Sequence, residues 1–153
     1  MATKYAIGNV IANTELLEMA MAFGPSCVLS AAARLGVADA LGDAERSAPE
    51  VSKACQADAS SMYRLLRAMA ALGLLEETQQ RRFRLTEMGR PLRKDVPDSS
   101  SSAVVFWADL LADFWSHLAE CVRTGQNVQQ VMDKAPWRHA GRRSQKPMGS
   151  FAR

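Results

Sequence analysis

Three arginines in this 153-residue sequence are well placed to bind a charged ligand. Arg64 and Arg67 lie three positions apart, which places them on one face of a helix, and Arg82 follows in a segment with the alternation of a strand. In a winged-helix DNA-binding protein, residues so placed read the major groove and contact phosphate. One interpretation of the sequence is therefore a DNA-binding transcriptional regulator that uses Arg64, Arg67 and Arg82.

The distribution of charge along the chain argues against nucleic acid as the partner. Positions 128–153 contain six of the 19 basic residues but only one of the 16 acidic residues, so positions 1–127 hold 13 basic and 15 acidic residues. A DNA-binding domain usually concentrates Lys and Arg on its binding face. Alanine also stands at positions 68, 70 and 71, where side chains that read bases would be expected.

No group of residues has the spacing typical of catalysis, cofactor binding or metal binding. The sequence contains neither Gly-x-x-x-x-Gly-Lys-Ser/Thr nor Gly-x-Gly-x-x-Gly, the loops that hold phosphates and dinucleotides. His117 and His139 have no second histidine at ligand spacing. Cys27, Cys55 and Cys121 are far apart and odd in number, which predicts reduced core thiols. We therefore predict no catalytic, cofactor-binding or metal-binding residue in this chain.

The elements that must position the arginines follow the order helix, turn, helix, hairpin. Ser47 and Glu50 have the spacing of a capping box at the start of a short helix, and Asp58 or Ser60 caps the next. That second helix ends at Gly73, and residues 74–85 alternate as an antiparallel hairpin. A cap at residue 86 would start a last short helix through residue 92. The predicted fold class is mainly α with one small antiparallel β-hairpin.

The remaining helices carry more apolar surface than this small domain can cover. Helices are predicted over 14–23, with Thr14 as the N-cap, over 26–42 after a break at Gly24-Pro25, and over 103–124. The last helix is apolar around most of its circumference, which indicates cover by a second chain. The predicted dimer interface consists of Leu16, Leu17, Phe23, Val28, Phe106, Trp107, Leu110, Phe114 and Trp115.

The sequence also predicts where the protein is found. No apolar run reaches the roughly 20 residues that span a bilayer, and the N-terminus lacks the pattern of a signal peptide. We therefore expect a cytoplasmic protein without a membrane partner.

Four segments in this order resemble a known family. They read LSAAARLGVADAL, SAPEVSKACQADASSMYRLLRAMAALGLLEE, RRFRLTEMGRPLRKDVPDS and FWSHLAECVRTGQ. Together they resemble the N-terminal dimerisation domain of SAM-dependent O-methyltransferases of the caffeate and hydroxyindole type, from about Leu16 to Gln126. The combination of YRLLRAMAALGLL with FRLTEMG is specific, although each half alone also fits a winged-helix regulator.

The resemblance implies a winged-helix-like domain that intertwines with its counterpart in a homodimer and caps a substrate pocket. In that family a Rossmann-like domain follows, which binds SAM and a small hydroxylated acceptor substrate and supplies a catalytic histidine. This sequence departs from the pattern after Gln126. We therefore expect an N-terminal segment at 1–13, the dimerisation domain at 14–126 and an irregular basic tail at 127–153. The tail is interpreted as a disordered end, or as the mark of a truncated or frame-shifted product, and the chain alone is predicted to be inactive and to bind no cofactor.

Overall fold

The computed structural model describes residues 13–133, in which helices dominate and three short strands form one antiparallel sheet. The helices are α1 (residues 13–21), α2 (Phe23–Leu35), α3 (Val37–Leu41), α4 (Ala48–Ala54), α5 (Ala59–Ala71), α6 (Ser101–Ser116), α7 (Leu118–Thr124) and α8 (Val128–Asp133). The strands are β1 (Arg46–Ser47), β2 (Leu75–Glu77) and β3 (Arg82–Leu85), and Arg90–Leu92 forms a 3-10 turn. The predicted mainly α fold with a small antiparallel hairpin is confirmed.

β3 is the central strand of the sheet. It pairs with β2 in the register Leu75 to Leu85 and Glu77 to Phe83, and it pairs with β1 in the register Arg46 to Phe83. The predicted hairpin over 74–85 is the β2–β3 pair. β1 was not predicted, because two residues directly before a helix are too short to show the alternation typical of a strand.

The core lies between α3, α4, α5 and the sheet. Its largest fully buried side chains are Phe83, Leu41, Met62, Leu66, Met69, Val37 and Val51. Phe83 is contributed by the central strand and meets the ring of Tyr63 edge-on, with the ring centroids 6.0 Å apart. Burial of each large apolar side chain stabilises the fold by about 1.5–3 kcal/mol, so this cluster holds helices and sheet together.

The predicted capping box at the start of α4 is present. The backbone amide and the hydroxyl of Ser47 each donate a hydrogen bond to Glu50 Oε2, both at 2.6 Å. These two hydrogen bonds, with a smaller attraction from Arg82, lower the pKa of Glu50 to about 2. Of the two caps predicted for α5, Asp58 is the one observed, because its carboxylate accepts from the amide of Ser61 at 2.8 Å.

The first helical run differs from prediction in two places. Thr14 lies inside α1, whose described part begins at residue 13, so it is not the N-cap. The interruption falls at Ala22 rather than at Gly24-Pro25, which form part of the first turn of α2. Pro25 has no amide hydrogen to donate to the carbonyl of Met21, four residues earlier. The helical hydrogen-bond pattern is therefore interrupted in the turn before the proline, not at the proline itself.

Two other predicted helices are each divided by one residue. Gly36 adopts the left-handed conformation at φ 68°, which ends α2 and starts α3 inside the predicted 26–42 helix. His117, at φ −101° and ψ 0°, separates α6 from α7 inside the predicted 103–124 helix. Thr86 caps a turn instead of an α-helix, since its hydroxyl accepts from the amide of Gly89 and the 3-10 turn follows.

The chain divides between Ala108 and Asp109 into two compact units, and this division falls within α6. In the second unit α8 occupies the start of the segment predicted to be irregular, and its Val131 is buried. The rest of the predicted basic tail, including His139, lies outside the described residues, as does all of the predicted N-terminal segment except residue 13.

The run Asn13–Leu35 is long and apolar enough to cross a membrane by length and composition. Its 23 residues have a mean hydropathy of 1.5 in the most apolar window, of which 11% is buried. The expectation that no apolar run reaches this length is therefore wrong, because the helical run continues across Ala22. Length and composition alone are weak evidence for a membrane, since a helix covered by protein and a signal sequence share them.

Candidate dimerisation surface

α1 is an apolar helix that the described part of the chain, residues 13–133, leaves exposed. Every residue from 13 to 21 is exposed, and the side chain of Leu16 is 64% accessible to solvent. Leu17, Met19 and Met21 are exposed as well. A helix normally turns its apolar stripe toward a core, and a contiguous exposed apolar surface marks an interaction site. α1 therefore has the character of an interface element.

α2 has one buried face and one exposed face. Ser30, Ala32 and Ala33 are buried, whereas Phe23 and Leu35 are exposed. Val28, which was predicted for the interface, is half-buried and packs against the hydrophobic core of its own chain. Phe23 is thus available to a partner, and Val28 is shared with the core.

The first part of α6, up to Ala108, repeats this arrangement. Ser101 and Ala108 are buried, and Val104 packs against the core. Phe106 and Trp107 are both exposed, with Trp107 at 56%, and their rings meet edge-on at 5.5 Å. Both residues were predicted for the interface, and the structure leaves both accessible.

The second unit, taken by itself, exposes further large apolar side chains. Trp115 is 62% accessible and Phe114 is exposed, whereas the third predicted residue of this unit, Leu110, is half-buried. Leu118 and Val122 on α7 are also exposed and were not predicted for the interface. Both belong to the apolar pattern of the predicted 103–124 helix. The sequence therefore indicated an apolar helix, but not which of its apolar residues would be exposed.

Arg67 is engaged within its own chain. Its Nε lies 3.0 Å from Glu77 Oε2, and its Nη1 lies 3.4 Å from the hydroxyl of Tyr63. The hydrogen bond with Tyr63 and the charge of Glu77 raise the pKa of the Arg67 guanidinium. The carboxylate of Glu77 therefore neutralises the charge of Arg67 at the base of the hairpin.

The other arginines of the DNA-binding interpretation are also engaged. Arg82 donates to the backbone carbonyl of Glu45 at 2.8 Å and lies 3.1 Å from Glu50. Arg64 donates to the hydroxyl of Ser61 at 3.2 Å. The hairpin neighbour Arg84 pairs with Glu76 at 2.7 Å. Of these arginines, Arg67, Arg82 and Arg84 are paired with carboxylates of their own chain, whereas phosphate binding depends on arginines that neutralise phosphate charge.

A groove of about 210 Å³ beside the sheet also contains arginines with acidic partners. Its walls include Arg93, which pairs with Asp43 and Asp95, both at 2.6 Å. The pKa of the Arg93 guanidinium is raised, mainly by its hydrogen bond to Asp95. This ion cluster ties the segment after the 3-10 turn to the loop after α3, which is a structural role.

The cysteines differ from prediction at one position. Cys55 and Cys121 are half-buried, and burial raises the pKa of the Cys55 thiol. Cys27 is exposed, so its assignment to the core is wrong, because it lies on the side of α2 that faces away from Ala32 and Ala33. Within residues 13–133 there is no group of three or more His, Cys, Asp or Glu side chains that could hold a metal ion.

Comparison with known proteins connects this surface to a family. The profile of the O-methyltransferase dimerisation domain matches residues 17–95. The O-demethylpuromycin-O-methyltransferase of Streptomyces alboniger is 41% identical over 115 residues, which are 75% of this chain and 31% of that protein.

Solved structures agree with this match. The N,N-8-amino-8-demethyl-D-riboflavin dimethyltransferase of Streptomyces davawensis superimposes with a TM-score of 0.70 at 31% identity, over 88% of this chain and 40% of that one. Human N-acetylserotonin methyltransferase, solved in complex with SAM, gives a TM-score of 0.69 at 32% identity, over 76% and 35%.

The chain spans about a third of the length of the curated relatives that it matches. The matched profile covers more than half of this chain and includes most of α1, all of α2 and the hairpin. The resemblance seen in the sequence is confirmed, and the comparisons lend no support to a DNA-binding regulator. The chain belongs to the O-methyltransferase dimerisation domain family.

Proposed function

We propose that this chain forms a homodimer through the exposed apolar side chains of α1, α2 and α6 and caps the substrate pocket of a SAM-dependent O-methyltransferase. The observation that carries the proposal is the exposure of every described residue of α1, including Leu16 and Leu17, in a segment that the dimerisation profile covers from residue 17. The proposed interface residues are those predicted from the sequence, of which Val28 in the first unit and Leu110 in the second are half-buried.

Burial of these apolar side chains favours association. Full burial of one large apolar side chain contributes about 1.5–3 kcal/mol. Two-fold symmetry doubles each contribution, because the same patch is buried on both chains. Five such side chains on each chain would contribute at most about 15–30 kcal/mol, to be set against an association cost of about 4–15 kcal/mol or more.

Methyl transfer itself belongs to another part of the enzyme in this proposal. The human relative was solved with SAM, and another relative of known structure with SAM and 2-hydroxy-5-methyl naphthoic acid. A hydroxyl acceptor needs the methyl donor held in line and a base for its proton. In this proposal neither task is assigned to residues 13–133, whose role is to assemble the dimer and to cover the pocket. The domain bounds 14–126 and the cytoplasmic location are part of the same proposal.

Sedimentation velocity on the purified chain tests the proposal. At about 10–50 μM, a concentration range in which micromolar affinities are visible, the wild type should sediment as a dimer. The double variant Leu16→Ser and Leu17→Ser should raise the dissociation constant about 100-fold or more, because two apolar side chains per chain leave the interface.

The matched control is Lys53→Ser on α4, an exposed residue outside the interface, which should leave the dissociation constant unchanged. A wild-type chain that remains monomeric across the whole range contradicts the proposal. Equal weakening by the control variant would also contradict it, since the effect would then not belong to α1.

A further inference from the structure

Residues 94–100 form an exposed connection between the 3-10 turn and α6. Six of these seven residues are exposed, and Val96 is half-buried. Leu92 before the connection and Ser101 after it are buried, with 5% and 2% of their surface accessible. The connection is therefore anchored in the fold at both ends and lies on the surface between them. We call residues 94–100 the strap.

A backbone hydrogen bond joins the two ends of the strap region. The amide of Ser100 donates to the carbonyl of Pro91 at 2.7 Å. A compact surface loop whose ends lie close together is an Ω-loop. Because Leu92 and Ser101 are held by their own burial, such a loop can leave the surface without displacing the elements on either side of it.

Carboxylates at the end of α3 hold the strap to the surface. The amide of Lys94 donates to Asp39 Oδ1 at 2.7 Å, and the Lys94 ammonium lies 3.8 Å from Asp39 Oδ2. Arg93 donates from Nη1 to Asp43 at 2.6 Å, and from Nε and Nη2 to the two oxygens of Asp95 at 2.8 and 2.6 Å. Arg93 thus links Asp43, outside the strap, to Asp95 within it. We call these contacts the latch.

The latch contributes little energy to hold so many residues in place. Ordering seven residues costs conformational entropy, and the strap has only the half-buried Val96 as an apolar side chain of any size besides Pro97. Exposed ion pairs stabilise a fold only weakly. Segments with few buried contacts and exposed hydrogen bonds open locally, at a much lower free energy than the core.

The latch is also accessible to salt, unlike the core. The side chains of Asp43 and Asp95 are 86% and 63% accessible to solvent. Dissolved ions screen exposed charges over a Debye length of about 10 Å at 0.1 M salt. The core is held by apolar burial instead, so raised ionic strength should weaken the latch before it affects the core.

We propose that residues 94–100 are an ion-latched strap, which opens as one unit while the core stays folded and which opens more readily as ionic strength rises. Opening separates Asp95 from Arg93, which lines the groove beside the sheet. The strap therefore controls whether Arg93 is paired or free in that groove. No strap residue belongs to the proposed dimer interface.

Amide hydrogen exchange on the full chain, measured by NMR, tests the proposal. The amides of Lys94 and Ser100 have different acceptors, yet they should show nearly the same protection, because one opening exposes both. Their protection should be at least about 100-fold lower than that of the Leu66 amide in α5. Raising NaCl from about 20 mM to about 500 mM should lower both about threefold to fivefold and leave Leu66 unchanged.

The Asp43→Asn variant tests whether the strap opens as a unit. Asp43 contacts Arg93 but neither of the two reporting amides, so a local effect would leave them unchanged. We expect the protection of Lys94 and Ser100 to fall together by about fivefold, the upper range for an exposed ion pair. The matched control is Asp98→Asn, an exposed carboxylate of the strap outside the latch, which should match the wild type.

Chemical labelling of arginine gives a converse test. Asp39→Ala removes the partner of Lys94 and leaves both carboxylates of Arg93 in place. If the strap opens as a unit, phenylglyoxal should label Arg93 at least about threefold faster in this variant, as quantified by mass spectrometry. Arg90, which is already exposed, should react at an unchanged rate and serves as the reference within the same chain.

Three results would overturn the proposal. Protection of Lys94 and Ser100 equal to that of Leu66 would mean that the strap opens only when the core unfolds. Separate responses of the two amides to Asp43→Asn, or an equal response to Asp98→Asn, would mean that the contacts do not form one latch. Unchanged labelling of Arg93 in Asp39→Ala would mean that opening does not release this arginine.

Discussion

The α5–hairpin core and α1 are both rich in large apolar side chains, yet their surroundings are opposite. Leu66, Met69 and Phe83 are fully buried among α3, α4 and the sheet, whereas Leu16 and Leu17 on α1 are more than half exposed. The apolar residues are therefore not what distinguishes the two regions. The difference lies in cover, because the described part of the chain encloses the core side chains and leaves those of α1 exposed.

The comparison predicts that equal substitutions have unequal effects on folding. Phe83→Ala removes a fully buried ring and should lower the free energy of unfolding by about 3–5 kcal/mol. Phe23→Ala removes an exposed ring and should change the stability of the dissociated chain by less than about 0.5 kcal/mol. Urea unfolding below the dimer dissociation constant measures both. Similar losses for the two variants would show that Phe23 is covered by its own chain.

Two glycines sharpen the same comparison. A Cβ on Gly89 would collide with the backbone carbonyl of Leu74 and press on Leu85, so Gly89→Ala should cost about 1–3 kcal/mol by overpacking. Gly24→Ala meets no neighbour and sits in a helix, where it should stabilise the dissociated chain by about 0.5–1 kcal/mol. Thermal unfolding at low protein concentration distinguishes the two. A stable Gly89→Ala variant would mean that the two segments do not approach this closely.

Acid should lower the stability of the fold through the capping box at the start of α4. The pKa of Glu50 is lowered from 4.5 to about 2 in the folded chain, so its carboxylate stabilises the fold above pH 4.5 and this contribution is lost as the pH falls toward 2. The difference in unfolding midpoint between the wild type and Glu50→Gln should shrink between pH 5 and pH 2. Glu87→Gln, the same substitution at an exposed site outside the capping box, provides the control. A constant difference for Glu50→Gln over this range would contradict the assignment.

The smallest expected effect concerns SAM. Calorimetric titration of the 153-residue chain with SAM should give no stoichiometric binding at micromolar concentrations, because residues 13–133 act as an assembly surface in our proposal. Micromolar one-to-one binding would show that a ligand site exists where we propose only a cover.

Local patterns made much of the fold predictable. The capping box at Ser47 and the stripe of α5 depend on residues within a few positions of one another, and both are present. The division at Gly36 is local, since its amide bonds to the carbonyls of Ala32 and Ala33, but a glycine inside a helical pattern does not always end the helix. The short strand β1 could not be predicted, because a two-residue strand depends on pairing with β3, which is distant in sequence. The prediction that Cys27 lies in the core was wrong for a similar reason, since composition does not show which face of a helix the rest of the chain will cover.

For the candidate surface, the sequence indicated an excess of apolar side chains but not how they divide between core and solvent. Trp107 and Trp115, which were predicted for the interface, are exposed. Val28 and Leu110 were chosen on the same grounds and are half-buried. Helical spacing alone could not separate these cases, because each helix has both a covered and an open side.

The exposure of α1 has a consequence for the kinetics of refolding. The core can close within one molecule, on the microsecond-to-second scale of single-domain folding, at a rate independent of concentration. Covering α1 needs a collision between two molecules, and at about 10 μM a typical association rate of 10⁵–10⁷ M⁻¹s⁻¹ makes this step last roughly 0.01–1 s. Refolding should therefore show a second phase that accelerates in proportion to protein concentration. During that interval the newly folded chain is most prone to aggregate, so dilution, which protects most refolding proteins, would here prolong the vulnerable state.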